Sequence, residues 1–332
     1  LDKDLKAYML NDTRNLNIIP NTTNNSFTIT DNEGTIYEFT SHEKTKRTTY
    51  YKYFNTQTNS GGLLTTGPKD PDHYKSVVTG YFLTRILSAN RKHSFTFGYE
   101  PEVTKYITPL SGKLNSNRWD AEGAASYSEI TNITYRLSRI SSSDGSYMLF
   151  VYNLKRLDIE GNGRALTNIL LSESNNSLSR SWVLKQSYFG SYPQSDNPVL
   201  NKRLKLEHII NLEDNSCYRF AYNENIYMPH RNVYGGQDWF GYNNGSSSGA
   251  VKHIFPNINE LQQELPLEYK PGVSVNWTNS TTDICFFNGS NQSVNPKYTD
   301  SYSLKEIHYP TGGYSSFEYE PNNVRFYNDT YT

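Results

Sequence analysis

Apolar and polar positions alternate along most of this chain, and one alternating pattern recurs. A Leu-x-x-Ile step is followed by a Phe-x-Tyr step in Leu83-Thr-Arg-Ile86 with Phe97-Gly-Tyr99, and again in Leu137-Ser-Arg-Ile140 with Phe150-Val-Tyr152. The pattern returns in Leu206-Glu-His-Ile209 with Phe220-Ala-Tyr222, and in Leu304-Lys-Glu-Ile307 with Phe317-Glu-Tyr319. Turn formers stand between the steps: Ser88-Ala-Asn90, Ser143-Asp-Gly145, Glu213-Asp-Asn215 and Pro310-Thr-Gly-Gly313. Two apolar-alternating runs around such a turn read as an antiparallel hairpin. Hairpins repeated in series read as an extended sheet. Residues 26–30 and 35–39, joined by Asp31-Asn-Glu-Gly34, form a further, divergent hairpin of the same kind.

The fold class that follows is all-β: an elongated antiparallel sheet built from repeated hairpins, with long loops and little helix. Residues 1–25 read as an N-terminal appendage, a short helical turn over 1–10 followed by an Asn/Thr-rich loop. Residues 26–332 read as the repeat-like β region, with a soft boundary near 155–180. Residues 55–73, 108–127, 172–181 and 190–201 are rich in turn formers and polar residues and are expected as surface loops. Trp182 to Phe189 alternates as a long strand leading to the third full copy, and residues 258–265 are the best helix candidate.

Composition sharpens this picture. Only 35% of the 332 residues are hydrophobic, yet 28 Tyr, 15 Phe and 4 Trp supply large amphipathic surfaces, so aromatics are expected to replace aliphatics in the packing. A charged fraction of 20% and a net charge of -1 leave no field to gather nucleic acid, and the basic run Lys44-Thr-Lys46-Arg47 is short. No apolar stretch approaches the roughly 20 residues of a spanning helix. The sequence starts at Leu1 without a signal peptide and reads as a mature or trimmed segment. Cys217 and Cys285, each in a β-like run, fit two buried thiols or one disulfide, and there is no Cys-x-x-Cys pair.

The candidate ligand site is the loop Tyr234-Gly-Gly-Gln-Asp238-Trp239-Phe-Gly-Tyr242-Asn243-Asn244-Gly245. Aromatic faces beside a carboxylate and amides can stack on a sugar ring and bind its hydroxyls, which makes Tyr234, Asp238, Trp239, Tyr242, Asn243 and Asn244 the candidate residues. The structural alternative is that the aromatics plug a sheet edge while Asp238 and the Asn side chains satisfy turn amides. Gly245-Ser-Ser-Ser-Gly249 fits the Gly-x-Ser-x-Gly spelling but lacks the strand and helix that a nucleophile elbow needs. Asp158-Ile-Glu160-Gly-Asn162-Gly163 begins like a calcium loop, but Ile169 stands where the closing Glu belongs, so a hairpin turn is expected. The seven His show no metal-ligand spacing. No catalytic residue, metal or cofactor is therefore assigned. Arg85, Arg139 and Lys305 read as water-facing charges on a one-sided sheet.

Certain longer strings resemble a known family. Residues 81–86 (Tyr-Phe-Leu-Thr-Arg-Ile), 203–209 (Arg-Leu-Lys-Leu-Glu-His-Ile), Arg231-Asn-Val-Tyr234 with Asp238-Trp-Phe-Gly-Tyr242-Asn-Asn-Gly245, and Leu304 to Gly313 with Phe317-Glu-Tyr-Glu320 resemble the N-terminal part of bacterial RHS/YD-repeat surface proteins. The resemblance spans residues 26–322 and is densest in the last third. It implies a β-rich, non-catalytic structural or interaction module of a secreted or outer-surface protein, with a surface glycan or another envelope protein as partner. The regular tyrosine-aspartate dipeptides of that family and its self-cleaving region have no counterpart here, so no proteolytic role is carried over. The alternatives are a carbohydrate-binding module using residues 234–245, or part of a β shell for toxin delivery.

Overall fold

The expected hairpins are present in a computed structural model that describes residues 16–55, 64–66, 76–108, 111–114, 122–175, 177–192, 194–231, 236–238, 240–246 and 293–322. The chain runs through β1 (Asn17–Asn21), β2 (Ser26–Thr30), β3 (Ile36–Phe39), the long β4 (Ser41–Asn55), β5 (Leu64–Thr66), β6 (Ser76–Phe82) and β7 (Arg85–Leu87). It continues with β8 (Ser94–Ile107), β9 (Ser111–Leu114), β10 (Glu122–Ser142) and β11 (Tyr147–Val151), then three short pieces, β12 (Leu154–Lys155), β13 (Glu160–Gly161) and β14 (Arg164–Ala165). The last part contains β15 (Asn168–Ser172), β16 (Leu178–Phe189), helix α1 (Pro198–Asn201), β17 (Arg203–Asn211), β18 (Cys217–Tyr222), helix α2 (Pro296–Thr299), β19 (Leu304–His308) and β20 (Tyr314–Ser316).

All pairings are antiparallel, and one ladder runs β1-β2-β3-β7-β8-β10-β11-β15-β16-β17-β18-β19-β20. The fold is thus all-β. A branch departs from it where β4 pairs with β6 on one side and with the first half of β10 on the other. Because β6 leads directly into β7, the pairings β4, β6/β7, β8, β10 and back to β4 close a circuit. Where β4 and β10 pair, Ser128 is 1% exposed and its hydroxyl joins that of Thr49, directly opposite, at 2.9 Å and accepts Arg47 Nε at 2.8 Å. A polar group this deep is retained because its partners replace water.

Each copy carries the same polar link. The hydroxyl of Tyr99 donates to the Leu83 carbonyl at 2.6 Å, Tyr152 to Leu137 at 2.8 Å, Tyr222 to Leu206 at 2.7 Å and Tyr319 to Leu304 at 2.6 Å. The reason lies in the residue after each Leu. Leu137 faces Tyr99 while Arg139 faces Gly98, Leu206 faces Gln186 while His208 faces Lys185, and Leu304 faces Tyr222 while Glu306 faces Ala221. Ser138, Glu207 and Lys305 are therefore the extra residues of β-bulges, and in the first copy the strand breaks at the same place, between β6 and β7. A bulge leaves a backbone group without its ladder partner. The carbonyl after the Leu still receives the Phe amide, Phe97 to Thr84 at 2.9 Å and Phe317 to Lys305 at 2.9 Å, so the Leu carbonyl is the one left for the tyrosine.

A copy that the motif does not spell is also present. In Leu166-Thr-Asn-Ile169 with Leu184-Lys-Gln186, the Leu184 amide donates to the Thr167 carbonyl at 2.8 Å, and Gln186 Nε2 donates to the Leu166 carbonyl at 2.8 Å. Thr167 and Thr84 even share their second bond. The amide and hydroxyl of Thr167 both reach the Val151 carbonyl (2.7 and 3.0 Å), and those of Thr84 both reach the Glu38 carbonyl (2.7 and 3.0 Å). In the divergent first hairpin, Tyr37-Glu-Phe39 takes the Phe-x-Tyr place, with Tyr37 facing Ile86 and Glu38 facing Arg85. Phe39 has no hydroxyl to give and instead stacks on Phe27, with centroids 4.6 Å apart.

Aromatics do the packing. Phe82 lies 5.3 Å from Tyr99 and 5.8 Å from Tyr135, and Phe189 stacks on Tyr302 at 4.5 Å while meeting the edge of Tyr222 at 5.1 Å. Among the described residues the buried apolar side chains are Ile130, Ala165 and Phe189, each still 4–7% exposed.

Loops expected from polar composition are shorter than composition alone predicts. β1 lies inside the tract expected as loop, because Ile18 and Ile19 pair with Ile29 and Thr28 and the Asn side chains tolerate a half-exposed edge. β5, β9 and the first residues of β10 likewise fall in expected loops, recruited by pairing with long neighbours. β15 and β16 both reach into the loop expected at 172–181, where the Glu173 amide donates to the Ser177 carbonyl at 3.0 Å. The two helices among the described residues, both unforeseen, are single turns opened by Asn-Pro, with the Asn197 and Asn295 side chains capping Val199 and Lys297 at 3.1 and 3.2 Å. The helix candidate at 258–265, Cys285 and the run 247–249 lie outside the described residues.

Candidate functional site

Of the aromatic loop, Asp238, Tyr242, Asn243 and Asn244 are described, and Tyr234 and Trp239 lie outside the described residues. Asp238 is 6% exposed, and its Oδ1 accepts the amides of Phe240 at 2.9 Å and Tyr242 at 3.0 Å, an arrangement that folds the chain back on itself. Asn243 Oδ1 accepts the Gly245 amide at 3.1 Å and its Nδ2 reaches Ser301 at 3.4 Å, while Asn244 Oδ1 accepts the Ser246 amide at 3.0 Å. The loop is fastened to α2 by Asn295 Nδ2, which donates to the Asn244 carbonyl at 3.2 Å. Gly245, at φ +79, sits where a side chain would collide with the Tyr298 ring. The carboxylate and amides therefore face inward, while Tyr242 and Phe240 are 47% and 39% exposed. One acceptor is left over: Asp238 Oδ2 is buried without a hydrogen-bond partner.

A second polar centre, which sequence reading placed in a simple hairpin turn, forms around Asp158. Its side chain is 1% exposed and meets Arg156 through two parallel bonds, Nε to Oδ1 at 2.9 Å and Nη2 to Oδ2 at 2.7 Å. This fork geometry is the strong form of the pair. Arg231 adds Nη2 to Oδ2 at 3.3 Å and Nη1 to the Asp158 carbonyl at 2.9 Å, and the Leu204 amide donates to Oδ2 at 3.3 Å. Burial pushes the Asp158 carboxyl up, but the Arg156 bonds and charge, the Leu204 amide and Arg231 outweigh it and hold it below the ordinary carboxylate value. Asp158 thus ties the segment between β11 and β15 to the start of β17 and to the chain beyond β18.

The surroundings are rich in cations. Arg203 donates Nη2 to the Pro229 carbonyl at 2.7 Å, its Nη1 is buried without a partner, and burial together with Arg231 lowers its pKa. Burial, then Arg203, also lowers the His230 pKa. No sequence signal pointed to this centre, since Asp158 and Arg231 are 73 residues apart and neither belongs to a repeat. Glu160 and Gly161 pair instead with Lys105 and Thr104 of β8, and Asn162 Oδ1 accepts the Val103 amide at 2.6 Å, so the stretch that begins like a calcium loop is spent on a strand contact. Among the described residues no three His, Cys, Asp or Glu side chains converge as metal ligands would.

The repeat charges are spread rather than gathered. Arg85 lies 4.0 Å from Glu38, Arg139 stands 4.0 Å over the Tyr147 ring, and Lys305 pairs with Glu306 at 3.8 Å. No helix among the described residues is long and apolar enough to cross a membrane. No protein-family profile matches the chain, and no curated protein matches it.

Proposed function

We propose that the chain is a non-catalytic structural and interaction module, of the secreted or surface-exposed, RHS/YD-like kind that its longer strings resemble. The observation that carries this reading is the repeated junction: successive hairpins meet in one register, and five copies close their irregularity with a side-chain bond to the Leu carbonyl, from Tyr in four and Gln in one. Such serial construction makes a stiff platform whose loops and edges meet partners. Its polar side chains are used in fastening, Asp158 to arginines, Asp238 and the asparagines to turn amides.

The test is to assay the intact chain against peptide, ester and oligosaccharide substrates. Turnover that a single carboxylate or serine substitution abolishes, with the fold intact by circular dichroism, overturns the reading; no turnover together with a cooperative β-sheet melt supports it. A second reading, carbohydrate binding by the 236–246 loop, is favoured by one observation: exposed Tyr242 beside Asp238, whose Oδ2 lacks a partner. Saturable glycan binding lost in both Tyr242→Ala and Trp239→Ala would establish it. Binding by a non-catalytic module of a cell-envelope protein to a surface glycan or envelope protein is the partner class that follows.

A further inference from the structure

One row of side chains gathers like charge. Lys185 faces His208, His208 faces Arg219, and Arg219 faces His308 across the neighbouring strands β16, β17, β18 and β19. Directly opposed residues point to the same face of a sheet, so four basic side chains stand abreast over about 14 Å, three strand spacings. Tyr314 of β20 faces His308 and ends the row, with its ring 5.7 Å from the imidazole. Lys185, Arg219 and His308 are exposed and His208 is half-buried.

Like charges set directly opposite one another weaken a sheet, so carboxylates are expected among them. They are engaged elsewhere. Glu207, next to His208 in the chain, is held by Ser187 Oγ at 2.6 Å and Lys205 Nζ at 3.5 Å. Glu306 reaches only the end of the row, His308 Nε2 at 3.0 Å, and also meets Lys305 at 3.8 Å. Among the described residues Lys185 and Arg219 have no acidic partner. The next row on the same face, Val183, Ile210 and Cys217, carries no charge. A line of positive charge is thus left for an anion from outside, and an aromatic ring at its end suits a sugar that carries the acid. The net charge of -1 supplies no long-range field, so recognition depends on contact along this row.

We infer that the sheet face from Lys185 to Tyr314 binds a glycan chain bearing carboxylates, whose successive acidic groups meet the basic row while a ring stacks on Tyr314. This rests on the interaction-module reading and names its partner's class, and it puts the contact on the sheet face rather than in the 236–246 loop. It is tested by binding rather than by turnover, so either can fail alone.

The probe is a galacturonic acid hexasaccharide, with its methyl ester as the uncharged equivalent and a single-stranded oligonucleotide of equal charge as the other polyanion. Titrated into the intact chain in a calorimeter, the acid is expected to bind saturably and more weakly as salt is raised, and the ester not to bind. Lys185→Glu and Arg219→Glu are each expected to weaken binding about 3- to 10-fold, with the thermal melt followed by circular dichroism unchanged. Lys92→Glu, in the turn between β7 and β8, is expected to leave binding as it was. Carbodiimide coupling of the bound hexasaccharide to the unaltered chain, read by mass spectrometry, is expected to mark Lys185, and this needs no variant to fold. No saturable binding, equal binding by the ester, binding by the oligonucleotide as tight as by the sugar, indifference to both reversals, or coupling only at lysines away from the row overturns the inference.

Discussion

The Asp158 centre and the repeat bulges solve one problem, a backbone that leaves the ladder, by different means. At the bulges, where each copy repeats the same defect, one neutral hydroxyl completes one carbonyl. Around Asp158, where short strands interrupt the series, two guanidinium groups and a backbone amide converge on a single carboxylate. The difference teaches that regular segments need only local patches, whereas the irregular segment is held by contacts far apart in sequence. It also separates what each can lose: removing a hydroxyl strands one carbonyl, but removing the carboxylate strands two guanidinium groups that are only partly open to water.

The sharpest break of this comparison is Asp158→Ala. Removing one partner from a buried ion pair costs about 3 to 5 kcal/mol, and the lower end is expected because Arg156 and Arg231 are 31% and 34% exposed and retain some water. Urea unfolding measures it, and a loss equal to that of a bulge tyrosine would erase the distinction. Acid gives the same contrast without mutation. Because the folded Asp158 pKa lies below its unfolded value near 3.8, its stabilisation is complete above that value and is lost as pH falls through the folded pKa. Wild type should therefore lose stability in this acid window more steeply than Asp158→Asn.

Next in size is Tyr222→Phe, which leaves the Leu206 carbonyl unpaired and should cost about 1 to 2 kcal/mol. Alkali probes the same bonds: burial raises the Tyr99, Tyr152 and Tyr222 hydroxyls above 10.0, so the stability they add is present below pH 10.0 and lost as pH rises through their folded values. Gln186→Leu should cost less, under about 1 kcal/mol, since it strands the Leu166 carbonyl but also removes Gln186 Oε1, itself buried without a partner. The smallest effect is expected for Tyr319→Phe, at most about 0.5 kcal/mol, because water can reach the carbonyl at the exposed edge; a loss matching Tyr222→Phe would show that exposure does not set the value.

These two regions also mark how far the sequence could be read. The hairpins were legible because Phe97, Phe150, Phe220 and Phe317 recur at a fixed offset from tyrosine and their turns carry Gly, Asn and Asp. In the copy from Leu166 to Gln186 only Trp182 to Phe189 reads as strand from sequence and 172–181 reads as loop, because Gln replaces the tyrosine and Leu replaces the phenylalanine while the bond to the Leu carbonyl survives. The pattern of letters changed and the hydrogen bond did not. β1 was hidden by its asparagines, since a two-residue apolar core gives too little alternation to distinguish strand from loop. For the candidate loop, composition identified an Asp, Asn and aromatic cluster but not its orientation, which depends on Asn295 and Ser301 more than fifty residues away. The Asp158 centre was not legible at all: an Arg-Leu-Asp triplet is common, and what makes this one a hub is the folding of Arg231 onto it.

The bulge also explains the Leu-x-x-Ile spacing of the repeat. In an unbroken strand, residues three apart point to opposite faces, and a Leu-x-x-Ile spacing belongs to a helix. Tyr99 and Phe97, two apart, share a face, and so do the residues directly opposite them, Leu137 and Ile140. One inserted residue has reset the parity of the strand. Leu, Ile, Phe and Tyr of adjoining hairpins are thereby gathered into a single apolar patch, and deleting Ser138, Glu207 or Lys305 would turn half of that patch to the other side of the sheet.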